Sequence, residues 1–225
     1  MNYSDVVNEK SGYEDFLASC EHAKSVSLLA TVDGLLQWDE QTMLPAAAGD
    51  FRADQAAALA ALTHAQRTKK EQGERLEKLA DSSLATDGPE FVQATIRLLH
   101  EDFQKQSRVP ERLVEEIART SIESQQEWVR AVKASEWKKM VVHLEKMFSL
   151  KRELAMCQSP KLDPYDALMD DYEPGARWRS VDATFSRLRK ALAPLVRGCL
   201  ESTNGPQDAV LRGAFPLLTQ QTFVR

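Results

Sequence analysis

The residues with the clearest potential for metal chemistry are four histidines, and no two of them stand at helical spacing. The nearest approach to a zinc-peptidase helix is the segment HEDFQ, in which His100 and Glu101 match the first ligand and the glutamate of a His-Glu-x-x-His motif. Gln104 stands where the second histidine would be. Because zinc catalysis needs at least three protein ligands, this segment predicts a helix surface and not a metal site. The histidines are His22, His64, His100 and His143.

The second candidate is the acidic run DPYDALMDDYEPG, which occupies residues 163–175. A calcium site is one alternative, but the run lacks the alternating oxygen ligands and central glycine of an EF-hand loop. Helix capping is the simpler interpretation: Asp163 caps a short helix whose first residue is Pro164, and Pro174-Gly175 ends it. The run therefore favours a structural role over metal binding.

The third candidate is the stretch LLQWDEQTMLP, which brings a tryptophan, two acids and a threonine together just before a proline. It stands where the pattern of the first long helix fades. Trp38 and Met43 are expected to be buried at the junction of the first two long helices. Asp39, Glu40 and Thr42 are expected to bond to backbone groups left free there. The functional alternative is that this corner lines a substrate groove.

Helical periodicity dominates the chain, and strand signals are almost absent, so the sequence predicts an all-α fold. Short connections favour antiparallel neighbouring helices. The expected helices cover about 13–36, 50–70 and 74–80 and then begin near Pro89, Pro110, Ser135, Ser180 and Pro216.

Four of these helices carry an apolar face at spacings of three and four. In the last long helix, Ser180 is the expected N-cap, Asp182 lies in the first turn, and Pro194 is expected to produce a kink. The four apolar faces are Val92, Ile96, Leu99 and Phe103; Leu113, Ile117, Trp128 and Val132; Trp137, Met140, Val141, Leu144, Met147, Phe148 and Leu154; and Val181, Phe185, Leu188, Leu192, Val196 and Cys199.

The composition of the 225 residues is that of a soluble globular protein, with 43% apolar and 28% charged residues. A net charge of -5 predicts no basic face, which argues against nucleic acid as a partner. Cys20, Cys157 and Cys199 are expected to be buried, reduced thiols. No secretory signal or membrane-spanning run is visible, so the predicted location is the cytoplasm, without membrane contact.

Three segments together resemble the N-terminal half of the carboxypeptidase Taq family of zinc metallocarboxypeptidases. The first is LLQWDEQTMLP followed by RADQAAALAALTH, and the second is DPYDALMDDYEPG. The third is LRGAFPLLTQQTF, which is similar to the segment that precedes the catalytic half of the family. The segments occur in the order of the family and extend over nearly the whole chain.

The resemblance implies a helical, saddle-like protein with a deep groove that removes C-terminal amino acids from peptides. It also implies zinc held by a His-Glu-x-x-His helix and a later glutamate. Those residues and the motifs that bind the substrate carboxylate are expected after the end of this sequence. No catalytic, cofactor-binding or metal-binding residue can therefore be assigned between Met1 and Arg225.

Two hypotheses follow. In the first, residues 1–225 are a single helical region of a metallocarboxypeptidase, inactive alone, which ends as a helix begins near residues 216–225. Zinc and a peptide substrate would then belong only to the complete enzyme. In the second, the chain is a free-standing helical module that binds another protein and has no enzymatic activity. An unmatched apolar face would also allow a homodimer.

Overall fold

The computed structural model describes the backbone of residues 3–203 and 212–224, and side chains from residue 12 onward apart from Ala46. Within these ranges the regular structure is helical, so the predicted all-α class is confirmed. A 3-10 turn at Ala46–Ala48 separates the first two α-helices. The α-helices are α1 (Tyr3–Thr42), α2 (Gly49–Arg67), α3 (Lys70–Ala80), α4 (Ser83–Thr86), α5 (Glu90–Gln106), α6 (Glu111–Ala134), α7 (Trp137–Gln158), α8 (Pro164–Met169), α9 (Trp178–Glu201) and α10 (Leu217–Val224).

The chain divides into two compact units, Met1–Pro174 and Gly175–Arg225. The first contains α1 to α8, and the second contains α9 and α10. The tail segment begins at Leu211 and the chain ends at Arg225, and both of these residues lie outside the described ranges. None of the described helices combines the length and the apolar character needed to cross a membrane.

The largest apolar cluster of the first unit joins α1, α3, α4 and α5. Gly73 lets α3 approach α5 closely, because a Cβ atom at this position would lie 2.3 Å from the ring of Phe103. The apolar face predicted for α5 supplies Val92 and Ile96 to this core, with Leu99 and Phe103 partly buried against it. The buried members of the cluster are Phe16, Leu76, Leu79, Leu84, Val92 and Ile96.

Two further clusters hold α2, α6 and α7 together. Small side chains form the buried face of α2, so that Ala53 and Ala56 lie directly against Ile122 of α6. Residues on either side of Pro110, Val109 and Leu113, pack with Leu150 of α7 in the third cluster. Because the distance between packed helices depends on the side chains at the contact, the alanines allow α2 and α6 to lie close together.

The first helix extends further than its sequence pattern predicts. It ends at Thr42, so the stretch from Leu35 to Thr42 is helical, and the expected end near Leu36 is wrong. The amides of Met43 and Leu44 both donate to the carbonyl oxygen of Asp39, at 2.8 and 2.9 Å. Nothing before Pro45 opposes helix formation, whereas a proline restricts the residue that precedes it.

This extension overturns the expected burial of Trp38 and Met43, which are 60% and 69% exposed. Successive helix residues are about 100° apart, so the turn that directs Asp39 toward α2 directs Trp38 away from it. A loop at this point would have allowed both apolar side chains to fold inward. A continuous helix does not.

One predicted helix start is also wrong. The N-cap of α9 is Arg177, so Ser180 lies inside the helix and Asp182 lies beyond its first turn. Gly175, at a positive φ of 80°, turns the chain and allows the helix to begin earlier. Helix α7 begins at Trp137, close to the start predicted near Ser135, and Ser135 itself ends α6 in the left-handed conformation at φ 57°. Pro194 lies inside α9 as predicted, and the kink there remains a prediction.

Several members of the predicted apolar faces are exposed. Of the predicted faces of α6 and α7, Leu113 and Met140 are buried, but the expected burial of four other members is wrong. Cys20 and Cys157 are partly buried free thiols, whereas Cys199 is exposed, contrary to expectation. Periodicity identifies the face of a helix but not how much of its length another helix covers. The four exposed members of these predicted faces are Trp128, Val132, Trp137 and Phe148.

We predict that Leu113→Ala lowers the free energy of unfolding by about 2–5 kcal/mol, because Leu113 is completely buried and its truncation leaves a cavity. Trp38→Ala should change it by less than about 0.5 kcal/mol, since that ring lies mainly in solvent. Urea denaturation followed by circular dichroism measures both values. A larger loss for Trp38→Ala than for Leu113→Ala would contradict this assignment of the core.

Candidate functional site

Three of the four histidines form described hydrogen bonds that join a helix to another helix or to a loop, or that follow one helix. His22 of α1 donates from Nε2 to the carbonyl oxygen of Gln66 at 2.9 Å, and His64 of α2 donates from Nε2 to that of Val109, also at 2.9 Å. His100 lies 3.2 Å from the amide nitrogen of Gln104. These bonds give the three rings structural roles.

A zinc ion does not fit the side chains of the described part of the chain. Within it, no three His, Cys, Asp or Glu side chains lie close enough to hold a metal ion. His100 has Gln104 as its neighbour one turn later on α5, and an amide is not a zinc ligand of the usual peptidase kind. His143 lies on another helix, α7.

The acidic run serves the local fold. Asp163 accepts a hydrogen bond from the amide of Tyr165 at 2.9 Å and caps α8, whose first residue is Pro164, as predicted. Asp170 forms an ion pair with Lys105 of α5. The helix ends at Met169 and not at Pro174-Gly175.

The earlier end of α8 follows from a tight turn. The amides of Tyr172 and Glu173 both turn back to the carbonyl oxygen of Met169, at 3.0 and 2.9 Å. The helix therefore ends before Pro174 and Gly175, which terminate only the acidic run.

A buried arginine organises the corner between α1 and α2. Arg52 donates from Nη1 to the carbonyl oxygen of Leu36 and from Nη2 to Oδ2 of Asp39, both at 2.5 Å. Its Nε donates to Oε1 of Gln55 at 3.0 Å. The guanidinium thus joins the backbone and a carboxylate of α1 to α2, and we call this group the Arg52 clamp.

The polar residues of the corner form different bonds from those expected. Asp39 bonds to the side chain of Arg52 and not to free backbone groups. Thr42 does bond to the backbone, donating to the carbonyl oxygen of Trp38 at 2.6 Å, but this is an ordinary bond within the helix. Oε1 of Glu40 is buried and has no hydrogen-bond partner within the described part of the protein.

A groove of about 440 Å³ lies between α1, α2 and α6. Its α1 wall is polar, whereas alanine and leucine side chains form its floor on α2. Trp38, Asp39 and Met43 are not among the described residues that line it. The lining residues are Ala30, Asp33, Gln37, Glu40, Gln41, Ala56, Leu59, Ala60, Thr63, His64, Arg67, Gln106, Val114, Ile117, Ala118, Ser121, Ile122 and Gln125.

Amide side chains give this groove a definite chemical character. Gln37 and Gln41 of α1 and Gln125 of α6 can each donate and accept hydrogen bonds, as a peptide backbone does. The corner therefore contributes to a groove through Gln37, Glu40 and Gln41 and not through its tryptophan. Sequence reasoning missed Arg52 and Gln125, although a single arginine at the start of an alanine-rich helix was a visible signal for the first.

Among the acidic residues that line the groove, Glu40 has a shifted pKa. Burial raises the pKa of Glu40 because it disfavours the charged carboxylate, and the nearby positive charge of Arg52 opposes part of this effect. A raised pKa means that the folded state binds more protons than the unfolded state over the interval between the two pKa values. Folding stability contributed by this group is therefore lost as pH rises through that interval.

We predict that Asp39→Ala lowers the free energy of unfolding by about 1.5–3 kcal/mol, because Arg52 stays buried without its charged partner. Asp33→Ala is the matched control, since Asp33 is on the same helix and bonds only to exposed Gln37 among the bonds described for it. Adding Arg52→Met to Asp39→Ala should recover part of the loss. Equal losses of unfolding free energy for Asp39→Ala and Asp33→Ala, measured by urea denaturation, would refute the clamp.

We predict that Glu40→Gln raises the melting temperature near pH 7. The variant should also lose less stability than the unsubstituted protein as pH rises above the ordinary pKa of glutamate. The amide removes a buried charge without changing the size of the side chain. Melting temperatures between about pH 4 and 8 measure this effect. Glu101→Gln, at an exposed position on α5, is the control, and identical profiles for the two variants would contradict the assignment.

Residues 18–225 match the sequence profile described as carboxypeptidase Taq (M32) metallopeptidase. The chain is 30% identical to thermostable carboxypeptidase 1 of Thermus thermophilus over 223 residues, which are 95% of this chain and 43% of that protein. Among solved structures, the M32 carboxypeptidase of Deinococcus radiodurans R1 is 28% identical with a TM-score of 0.73, and 93% of this chain and 41% of that one are covered.

The carboxypeptidase of Pyrococcus furiosus has the same fold over 94% of this chain and 42% of its own, with a TM-score of 0.76 at 23% identity. The chain thus spans less than half the length of these relatives. Nearly all of it lies within the matched region, which includes the Arg52 clamp and the groove. The chain therefore belongs to the carboxypeptidase Taq (M32) metallopeptidase family.

Proposed function

We propose that this chain is the N-terminal helical part of a zinc metallocarboxypeptidase that releases C-terminal amino acids from peptides. The observation that carries the proposal is the family match over residues 18–225. The relatives are more than twice as long as the matched region, which leaves room in them for a catalytic part that this chain does not contain. The role of the chain is then structural support of the enzyme and lining of its groove.

The groove between α1, α2 and α6 supports this role. Its glutamine side chains suit the alternating donors and acceptors of an extended peptide, and its alanine floor suits small apolar groups. In a metallocarboxypeptidase the metal polarises the scissile carbonyl and activates water. In this proposal the residues of the groove bind and orient the peptide, and the metal ligands belong to the rest of the enzyme.

A second candidate function is that of a helical module that binds another protein and catalyses no reaction. The observation that favours it is the exposed apolar face of α9, which could receive such a partner. Peptidase activity distinguishes the two candidates, because only the first requires that this chain complete an enzyme.

We predict that the purified 225-residue chain releases no C-terminal amino acid from a blocked dipeptide or a longer peptide, with zinc or cobalt added. A fusion of this chain to the part of the Thermus thermophilus relative outside the matched region should release amino acids under the same conditions. The measurement is amino-acid release followed by chromatography, with and without a chelator.

Two outcomes would contradict the proposal. Metal-dependent, chelator-sensitive release by the 225-residue chain alone, with a contaminating peptidase excluded, would mean that this chain contains its own catalytic ligands. A fusion that folds cooperatively and binds zinc but releases nothing would favour the interaction module.

A further inference from the structure

A second cavity of the first unit lies between α1, α2, α3 and α5 and has a volume of about 400 Å³. The described residues that line it all lie between His22 and Phe103, within the first unit. We call it the α1–α5 cavity. It meets the groove between α1, α2 and α6 at Ala30, Thr63 and Arg67, which line both. A cavity of this volume is large enough for a small organic ligand.

Most of the lining is apolar, and small residues leave the interior of the cavity unfilled. Ala23 and Ala30 of α1 have no side-chain atoms beyond Cβ. At Gly73 the missing Cβ allows the ring of Phe103 to lie against α3, since a Cβ atom there would be 2.3 Å from that ring. The cavity therefore offers an apolar surface to a ligand. The other large apolar residues that line it are Val26, Leu76, Leu98 and Leu99.

Gln72 of α3 adds a buried polar group to this apolar lining. The residue is only 4% exposed. Its Oε1 accepts a hydrogen bond from Nη1 of Arg75 at 2.8 Å, and because arginine can only donate, this bond fixes which end of the amide is the oxygen. The NH₂ group of Gln72 forms none of the hydrogen bonds described for this part of the chain. A buried donor of this kind is satisfied by a ligand that brings an acceptor oxygen.

The charged groups of the cavity already neutralise each other. Arg67 of α2 donates from Nε to Oδ2 of Asp102 at 2.7 Å, and its Nη2 bonds to the other carboxylate oxygen. Charge-assisted pairs with two parallel bonds are among the stronger polar contacts in proteins. A charged ligand would have to displace one member of this pair or remain unpaired beside apolar side chains, which costs free energy. The lining therefore favours an uncharged ligand.

We propose that the α1–α5 cavity binds an uncharged, mainly apolar small molecule whose carbonyl oxygen accepts a hydrogen bond from the side-chain amide of Gln72. The apolar part of the ligand packs against Phe103 and the leucines of α3 and α5. Because such a ligand contacts several helices of the folded first unit at once, its binding stabilises their packing. This site is additional to the proposed peptide groove and takes part in no cleavage step.

The test is titration of the 225-residue chain with acetophenone, which joins an apolar ring to one carbonyl oxygen, followed by amide NMR spectra. Saturable shifts should be confined to residues around the cavity and should include the side-chain amide of Gln72. Gln72→Met keeps the size of the side chain but removes the donor, so it should weaken acetophenone binding about five- to tenfold. Toluene, which has no acceptor, should bind equally well to Gln72→Met and to the unsubstituted protein.

Two control variants separate the site from general effects on the fold. Gln93→Met removes a partly buried glutamine of α5 that is not among the described lining residues, and it should leave acetophenone binding unchanged. Val26→Trp places an indole ring in the cavity and should abolish binding. Leu28→Trp makes the same kind of change on α1 at a residue that is 59% exposed, and should not affect binding. Circular dichroism checks that each variant is folded, and the toluene comparison keeps the test valid if Val26→Trp is not.

Three outcomes would overturn the proposal. The first is the absence of saturable binding up to the solubility limit of acetophenone, or shifts located instead in the groove between α1, α2 and α6. The second is equal binding of acetophenone to Gln72→Met and to the unsubstituted protein. The third is tighter binding of benzoate than of acetophenone, which would assign the cavity to carboxylates with Arg67 as their partner. None of these measurements requires peptidase activity, so this inference and the proposed function can fail independently.

Discussion

Close contact between α2 and α6 is the constraint on which the rest of the first unit depends. Ala53 and Ala56 lie against Ile122, and no larger side chain of α2 holds the helices apart at that contact. Gly49 extends the contact to the start of α2, since a Cβ atom there would lie 2.1 Å from the amide oxygen of Gln126. Because α2 also contacts α1, and α6 contacts α7, this helix pair positions its neighbours.

The Arg52 clamp attaches α1 to this helix pair. A buried guanidinium with three hydrogen bonds fixes the last turns of α1 relative to α2, and the same turns provide Gln37, Glu40 and Gln41 to the groove. Oε1 of Glu40 lies buried beside the clamp without a hydrogen bond in the described part of the protein. Burial raises the pKa of Glu40, and the charge of Arg52 opposes part of that effect.

The two units of the chain bury apolar side chains to very different extents. The first contains three apolar clusters, whereas α9, in the second, contains no buried residue. The region matched to the M32 family is well under half of the Thermus thermophilus relative.

The sequence by itself determined the helical class, most helix positions, the Asp163 cap and the family. These features depend on neighbours within a few residues, such as the spacing of Val92 and Ile96, Pro164 after Asp163, and the segments that resemble the carboxypeptidase Taq family. Local physics is sufficient for them, since side chains three or four residues apart share a helix face.

Only the tertiary structure decided which of those faces are covered and which polar groups meet. Trp38 is exposed because α1 continues to Thr42, and Cys199 is exposed although it continues the apolar side of α9. Arg52 bonds to Asp39, 13 residues away in the sequence, and the groove combines residues from four helices. Burial and long-range bonds depend on how whole helices pack, and helical periodicity contains no information about that arrangement.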